Sequence, residues 1–184
     1  PDSTVQRDVL TKVLQQSFSV ISGGPGTGKT TLVVKLLAME QELANRSLKI
    51  ALVAPTGKAA IRLQYAINEN RIGLPCDEKI QSAIPQEVTT IHRLLGFRYG
   101  SSLFIHNKSN PLDYDLLVVD EASMIDLSLM TKLVTALTAQ TRVVLVGDKD
   151  QLSSVETGSV LADLSASTFV TTCELLKTYR LNTQ

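Results

Sequence analysis

Val5, Val9, Leu10, Val13 and Leu14 recur at the spacing of one helical face behind the capping candidates Asp2 and Ser3, and predict an amphipathic first helix. The apolar run 18–21 then enters a glycine-rich loop, as a buried strand does. A helical pattern returns over 29–45, and the apolar run 50–54 suits a second strand. Thr56 caps a further helix to about residue 68. Over 69–87, Gly73, Pro75 and Pro85 break any period and predict an irregular connection with room for one short helix. Thr89 or Thr90 caps a short helix that Gly96 ends, and 97–107 suits a hairpin turning at Gly100, Ser101 and Ser102. Two more apolar runs, 116–119 and 143–146, end at Asp120 and at Gly147 and Asp148, with a helix from Asp126 to about Leu137 between them. A helix near 159–164 and a strand near 170–175 close the series.

Strands that are apolar throughout and alternate with helices predict an α/β fold of three layers, a mostly parallel sheet with helices on both faces. The pattern has no internal repeat, and 184 residues suit one domain, with irregular insertions near 69–88 and 97–112. Apolar residues at 43% and charged residues at 20% exclude disordered and fibrous chains. Eighteen Lys and Arg balance eighteen Asp and Glu, so any nucleic-acid site has to be local. Four Tyr, four Phe and no Trp argue against an aromatic-rich base-stacking platform. Cys76 and Cys173, with His92 and His106, make neither a disulfide framework nor a zinc site, and a reducing cytoplasm is expected. No apolar run has bilayer-spanning length. The opening Pro1, Asp2, Ser3 has neither an initiator Met nor a signal-peptide pattern, so the sequence reads as a piece of a longer protein.

The chemistry starts at Gly23, Gly24, Pro25, Gly26, Thr27, Gly28, Lys29, Thr30, which fits the phosphate-loop pattern between a strand and a helix. Glycines let backbone N–H groups turn toward phosphate oxygens, and the helix start adds its positive dipole end. Lys29 is suited to the β- and γ-phosphates and Thr30 to Mg²⁺. A phosphate loop alone leaves the reaction open. The run Leu116, Leu117, Val118, Val119 delivers Asp120 as the magnesium carboxylate and Glu121 as the group that polarises an attacking water. Paired acids favour hydrolysis of ATP over transfer. A third strand end places Gln151 beside the same crevice, where an amide can bond both the γ-phosphate and the lytic water without titrating.

Taken in order, these segments resemble a known family. Gly23 to Thr30, then Ala54, Pro55, Thr56, Gly57, Lys58, Ala59, Ala60, then Thr89, Thr90, Ile91, His92, Arg93, Leu94, Leu95, Gly96, then Asp120, Glu121, Ala122, Ser123, then Val146 to Leu152 follow the motif order of superfamily 1 helicases. They are most similar to the RecD family, the exodeoxyribonuclease V alpha subunits and their stand-alone relatives. The likeness runs from Gln6 to Arg180 and implies a RecA-like ATPase domain of a helicase moving 5′ to 3′ on single-stranded DNA in recombination and repair, using ATP and Mg²⁺. RecB and RecC are the implied partners if the chain is the bacterial subunit. The resemblance sets Gln6 at the adenine edge, Thr31 among the nucleotide contacts, Tyr179 as the adenine-stacking ring and Arg180 as a γ-phosphate cation.

The resemblance also implies that Thr56, Gly57, Lys58, Thr90 and His92 line the single-strand path, gripping phosphates without reading sequence. Lys58 and Arg62 lie one helical turn apart and can share a groove, or form a solvated face; His92 can equally be a core histidine. The sequence stops at Gln184 just after the fourth motif, so the second RecA-like domain of the family is expected to lie outside it. Two rival functions remain: a phosphotransferase acting on a small metabolite, for which no arginine-rich lid segment is visible, and a non-catalytic nucleotide-binding scaffold, which needs neither Glu121 nor Gln151.

Overall fold

Six strands form one sheet: β1 (Phe18–Gly23), β2 (Ile50–Ala54), β3 (Thr89–Thr90), β4 (Leu116–Val119), β5 (Arg142–Gly147) and β6 (Thr171–Leu175). Their order is β3-β2-β4-β5-β1-β6 and every pair is parallel. The helices are α1 (Ser3–Leu14), α2 (Lys29–Leu43), α3 (Gly57–Ile72), α4 (Glu78–Ala83), α5 (Ile91–Leu95), α6 (Leu127–Thr135) and α7 (Val160–Ala166), with one 3₁₀ turn at Ala122–Met124. The computed structural model describes residues 3–44, 46–98, 100, 103–151 and 159–175.

The alternation of strand side chains builds two cores. Ile21, Leu52, Val118, Val144 and Val146 pack under Val9 and Val13 of α1, Leu32 and Leu36 of α2, and Leu63 and Ile67 of α3. Val20, Val53, Leu117, Val119 and Leu145 face the other way, onto Ile91 and Leu95 of α5, Leu133 of α6 and Leu161 of α7. Burial of each such side chain contributes about 1.5–3 kcal/mol against the chain entropy lost on folding. Right-handed crossovers explain which helix lies where. Connections that step toward β3 carry α2 and α3 over one face, and those that step toward β6 carry α5, α6 and α7 over the other. The chain therefore leaves the adjacent strands β1 and β5 toward opposite faces, which opens a crevice at their carboxyl ends.

The opposite end of the sheet is closed by a clamp. Arg142 donates to Glu40 Oε2 at 2.6 Å, to the Val13 carbonyl at 3.0 Å and to the Gln16 carbonyl at 3.1 Å, tying the end of α1 to α2 and β5.

Three expectations change. Thr89 and Thr90 are a strand as well as a cap, paired to Val53 and Ala54. The helix expected to stop near 68 runs to Ile72, held by buried Ile67 and by Asn70, whose side-chain amide donates to the Ala66 carbonyl, and ends at Gly73; α4 then occupies part of the connection. The 97–107 hairpin is reduced to isolated bridges, Phe97 with Phe104 and Asn107 with Asn110. Asn107 and Asn110 turn their side-chain amides onto the Ile105 carbonyl, competing with a regular ladder. The turn residues Ser101 and Ser102 lie outside the described residues. No helix among the described residues is long and apolar enough to cross a membrane.

Candidate active site

The loop between β1 and α2 wraps around a lysine. Gly26 and Gly28 hold φ of 76° and 84°, a left-handed conformation that residues with a Cβ pay to adopt. Lys29 donates from Nζ to the Gly23 carbonyl and to the Gly24 carbonyl at 3.0 Å, so the ammonium lies inside the loop. Thr27 donates its hydroxyl to the Gly24 carbonyl at 2.9 Å and pins the loop's far side. A Cβ on Gly23 would lie 2.6 Å from Thr27 Oγ1, so the cradle is closed to any side chain there.

Asp120 follows β4, its N–H donating to the Val53 carbonyl at 2.9 Å. Burial pushes its carboxyl above the usual range; a backbone hydrogen bond from Glu121 pulls it back, the Glu121 charge adds to the rise, and Lys29 and Arg62 oppose it. Arg62 of α3, assigned on spacing to the groove of Lys58, thus also acts on the carboxylate. Glu121 has φ 53° and ψ 38°, the only positive φ of a non-glycine among the described residues. That conformation costs about 1–3 kcal/mol, and such strain clusters at functional sites. Nothing in a Glu codes for it, so sequence reasoning missed it.

The loop after β5 is laced to its neighbours. Lys149 donates its N–H to Ser22 Oγ at 3.1 Å on β1 and pairs through Nζ with Glu174 Oε1 at 2.7 Å on β6. Gln151 accepts at Oε1 from the buried Ser123 hydroxyl at 3.1 Å, which joins the loops after β4 and β5. A Cβ on Gly147 would lie 2.7 Å from Leu161 Cδ2 and 3.1 Å from the Ser123 nitrogen, so only glycine lets β5 abut the 3₁₀ turn. Ser123 carried no role in the sequence; its place two residues after the acid pair was the available signal.

The remaining residues divide. Gln6 accepts from Lys35 Nζ at 2.7 Å and so faces α2. Thr31 turns its hydroxyl to Asn70 Oδ1, 3.3 Å away on α3. Pro25 is exposed at the loop tip and Thr30 is half-buried in the first turn of α2. Tyr179 and Arg180 lie outside the described residues. Ala54 pairs with Thr90, which sets the starts of α3 and α5 side by side at the sheet edge. Thr56 caps α3 through Ala59 N and Thr90 caps α5 through Arg93 N, both at 3.2 Å. Gly57 faces open space and Lys58 is exposed. His92 is exposed too, against Phe97 and Phe104, and is not a core histidine.

The donor set fits nucleotide and magnesium. A hydroxyl and a carboxylate are the hard oxygen ligands this ion takes, and a cation there would offset the burial of Asp120.

A family model described as an AAA domain matches residues 6–157. The RecD subunit of the RecBCD enzyme from Haemophilus influenzae is 47% identical over 165 residues, 87% of this chain and 26% of that protein. The ATP-dependent RecD2 DNA helicase of Deinococcus radiodurans is 38% identical over 178 residues, 97% of this chain and 22% of that protein. The chain thus spans about a quarter of the length of these relatives. Among solved structures, the Pif1 helicase from Candida albicans shares the fold at a TM-score of 0.64 and 22% identity, over 96% of this chain and 40% of that one. The chain belongs to the AAA domain family, with a RecA-like P-loop fold and a RecD-like sequence over nearly its whole length.

Proposed function

We propose that the chain is the ATP-hydrolysing motor domain of a RecD-type DNA helicase, moving 5′ to 3′ on single-stranded DNA in recombination and repair. The observation that carries this is the half-buried Asp120, its carboxyl raised by desolvation, beside the strained Glu121 and the loop that holds Lys29. Lys29 would neutralise the β- and γ-phosphates; Thr30 and Asp120 would hold Mg²⁺, which withdraws charge from those phosphates when bound. Glu121 orients water for in-line attack, and Gln151, positioned by Ser123, reports the γ-phosphate to the rest of the domain. Arg180 adds a second cation and Tyr179 stacks on adenine. The loop backbone of 23–31 cradles the phosphates, and Gln6 reads the adenine edge after exchanging Lys35 for the base.

Residues 1–184 serve as one RecA-like unit, working in the cytoplasm, where Cys76 and Cys173 remain free. Single-stranded DNA runs over Thr56, Gly57, Lys58, Thr90 and His92, and RecB and RecC are the protein partners. Support for those partners is the name of the Haemophilus relative, a subunit of the RecBCD enzyme. The test is steady-state ATP turnover by the full-length protein with and without single-stranded DNA. Stimulation by DNA is expected; turnover that ignores DNA but rises with a small-molecule acceptor would overturn the proposal.

A further inference from the structure

Gly147, Ser22 and Glu174 are register partners, one row across β5, β1 and β6 near the carboxyl ends of the strands. Two residues past that row the chain turns back over it. Lys149 donates its N–H to the buried Ser22 hydroxyl at 3.1 Å and pairs through Nζ with Glu174 at 2.7 Å, so one residue ties β5 to both β1 and β6. Asp148 accepts at Oδ1 from the Asp150 N–H at 3.1 Å, and the Gln151 N–H donates to the Asp148 carbonyl at 3.2 Å, which folds the loop into a turn. A Cβ on Gly24 would lie 4.0 Å from Asp148 Oδ2, so the turn is seated against the phosphate loop. On the opposite side Gln151 is held by Ser123.

Stability does not explain the pair. Lys149 and Glu174 keep 31% and 40% of their side-chain surface in solvent, a degree of exposure at which an ion pair contributes little to folding. The other three ion pairs among the described residues stand at the amino ends of the strands, and this one stands at the carboxyl ends. Cys173 and Leu175 turn into the core, which leaves Glu174 between them on the opposite face of β6.

We infer that Lys149 and Glu174 are positioning residues for ATP hydrolysis: their ion pair straps the loop that carries Gln151 across the root of the phosphate loop and fixes the amide where the γ-phosphate arrives. The inference rests on the reading of the site as an ATPase. The Gln151 side chain has one bond to hold it among the described residues, to Ser123, and an amide hung on one bond can swing. A second anchor on the opposite side removes that freedom before nucleotide binds, as a reaction limited by alignment requires. A neutral side chain at position 149 would keep the backbone bond to Ser22 and lose the tie to β6.

The test is ATP turnover by the full-length protein at saturating single-stranded DNA, alongside calorimetric nucleotide affinity and melting temperature. Lys149→Met and Glu174→Gln should each lower kcat roughly tenfold, with nucleotide affinity and melting temperature at their wild-type values. Combined, the two should cost no more than the larger single loss. The exchanged pair Lys149→Glu, Glu174→Lys should recover most of the turnover, because the bond between the charges is what counts. Unchanged kcat in both single variants would overturn the strap and leave the motor reading standing. Turnover lost in step with melting temperature would make the pair structural, and a loss in Lys149→Met without one in Glu174→Gln would make Lys149 a nucleotide contact; either overturns the strap. A wild type without DNA-stimulated turnover would overturn the motor reading and the strap with it.

Discussion

Burial raises one carboxyl at each end of the sheet, and the two are treated in opposite ways. At the amino ends of the strands Glu40 is pushed up by burial, while Arg142 meets it at 2.6 Å and pulls its pKa down again. The same guanidinium reaches the Val13 and Gln16 carbonyls, so the charge is spent on holding α1 in place. At the carboxyl ends Asp120 is also pushed up by burial, yet it has no ion-pair partner among the described residues. A backbone hydrogen bond from Glu121 and the longer-range fields of Lys29 and Arg62 oppose the rise, while the Glu121 charge adds to it. A partly buried charge without a close counter-charge is a standing cost, and beside a strained backbone it marks a candidate functional site. One end is closed by an ion pair of its own; the other, on the reading proposed above, is completed by a ligand.

Removing Lys29 should have the largest effect. Lys29→Ala should cut ATP hydrolysis by about 10³-fold, read by phosphate release, with the melting temperature little changed because the residue opens α2 and its ammonium bonds only loop carbonyls. Near-normal turnover would break the comparison at its functional end. Arg142→Met should do the reverse. It leaves Glu40 buried without its partner and should lower stability by about 3 kcal/mol in urea unfolding, while turnover per folded molecule is kept. Smaller again is Glu121→Gln, which preserves size and removes the charge that orients water. Turnover should fall about 100-fold with nucleotide affinity retained, and equal loss of both would make Glu121 a metal-holding or structural group.

Much of this molecule was legible from local pattern. The phosphate loop, the acid pair and the buried strands are each specified by neighbours within a few residues, which is why their positions could be read directly. What escaped is nonlocal. β3 exists only because the edge of β2 offers it two partners, Val53 and Ala54. The link from Ser123 to Gln151 joins residues of two different loops, and the approach that demands Gly147 comes from α7 and the 3₁₀ turn. The left-handed Glu121 has no sequence signal, since nothing in a Glu favours a positive φ. The ring cluster at His92, Phe97 and Phe104 was hidden for the converse reason: a count over the chain averages away what the fold gathers.

Asp120→Asn, followed by thermal unfolding from acid to neutral pH with and without Mg²⁺ and ATP, tests the contrast between the two ends most directly. A raised folded-state pKa means that Asp120 is most favourable to the fold when protonated, below the ordinary carboxylate range, and that this contribution is lost as pH rises through the raised value. At pH 7 the neutral amide should therefore be at least as stable as the wild type without ligand, and the difference should close as the pH falls. The variant should also lose the Mg²⁺-dependent stabilisation by ATP that the wild type gains. A variant less stable than the wild type at pH 7, yet still stabilised by Mg²⁺ and ATP to the same extent, would contradict the assignment of this end of the sheet to nucleotide chemistry.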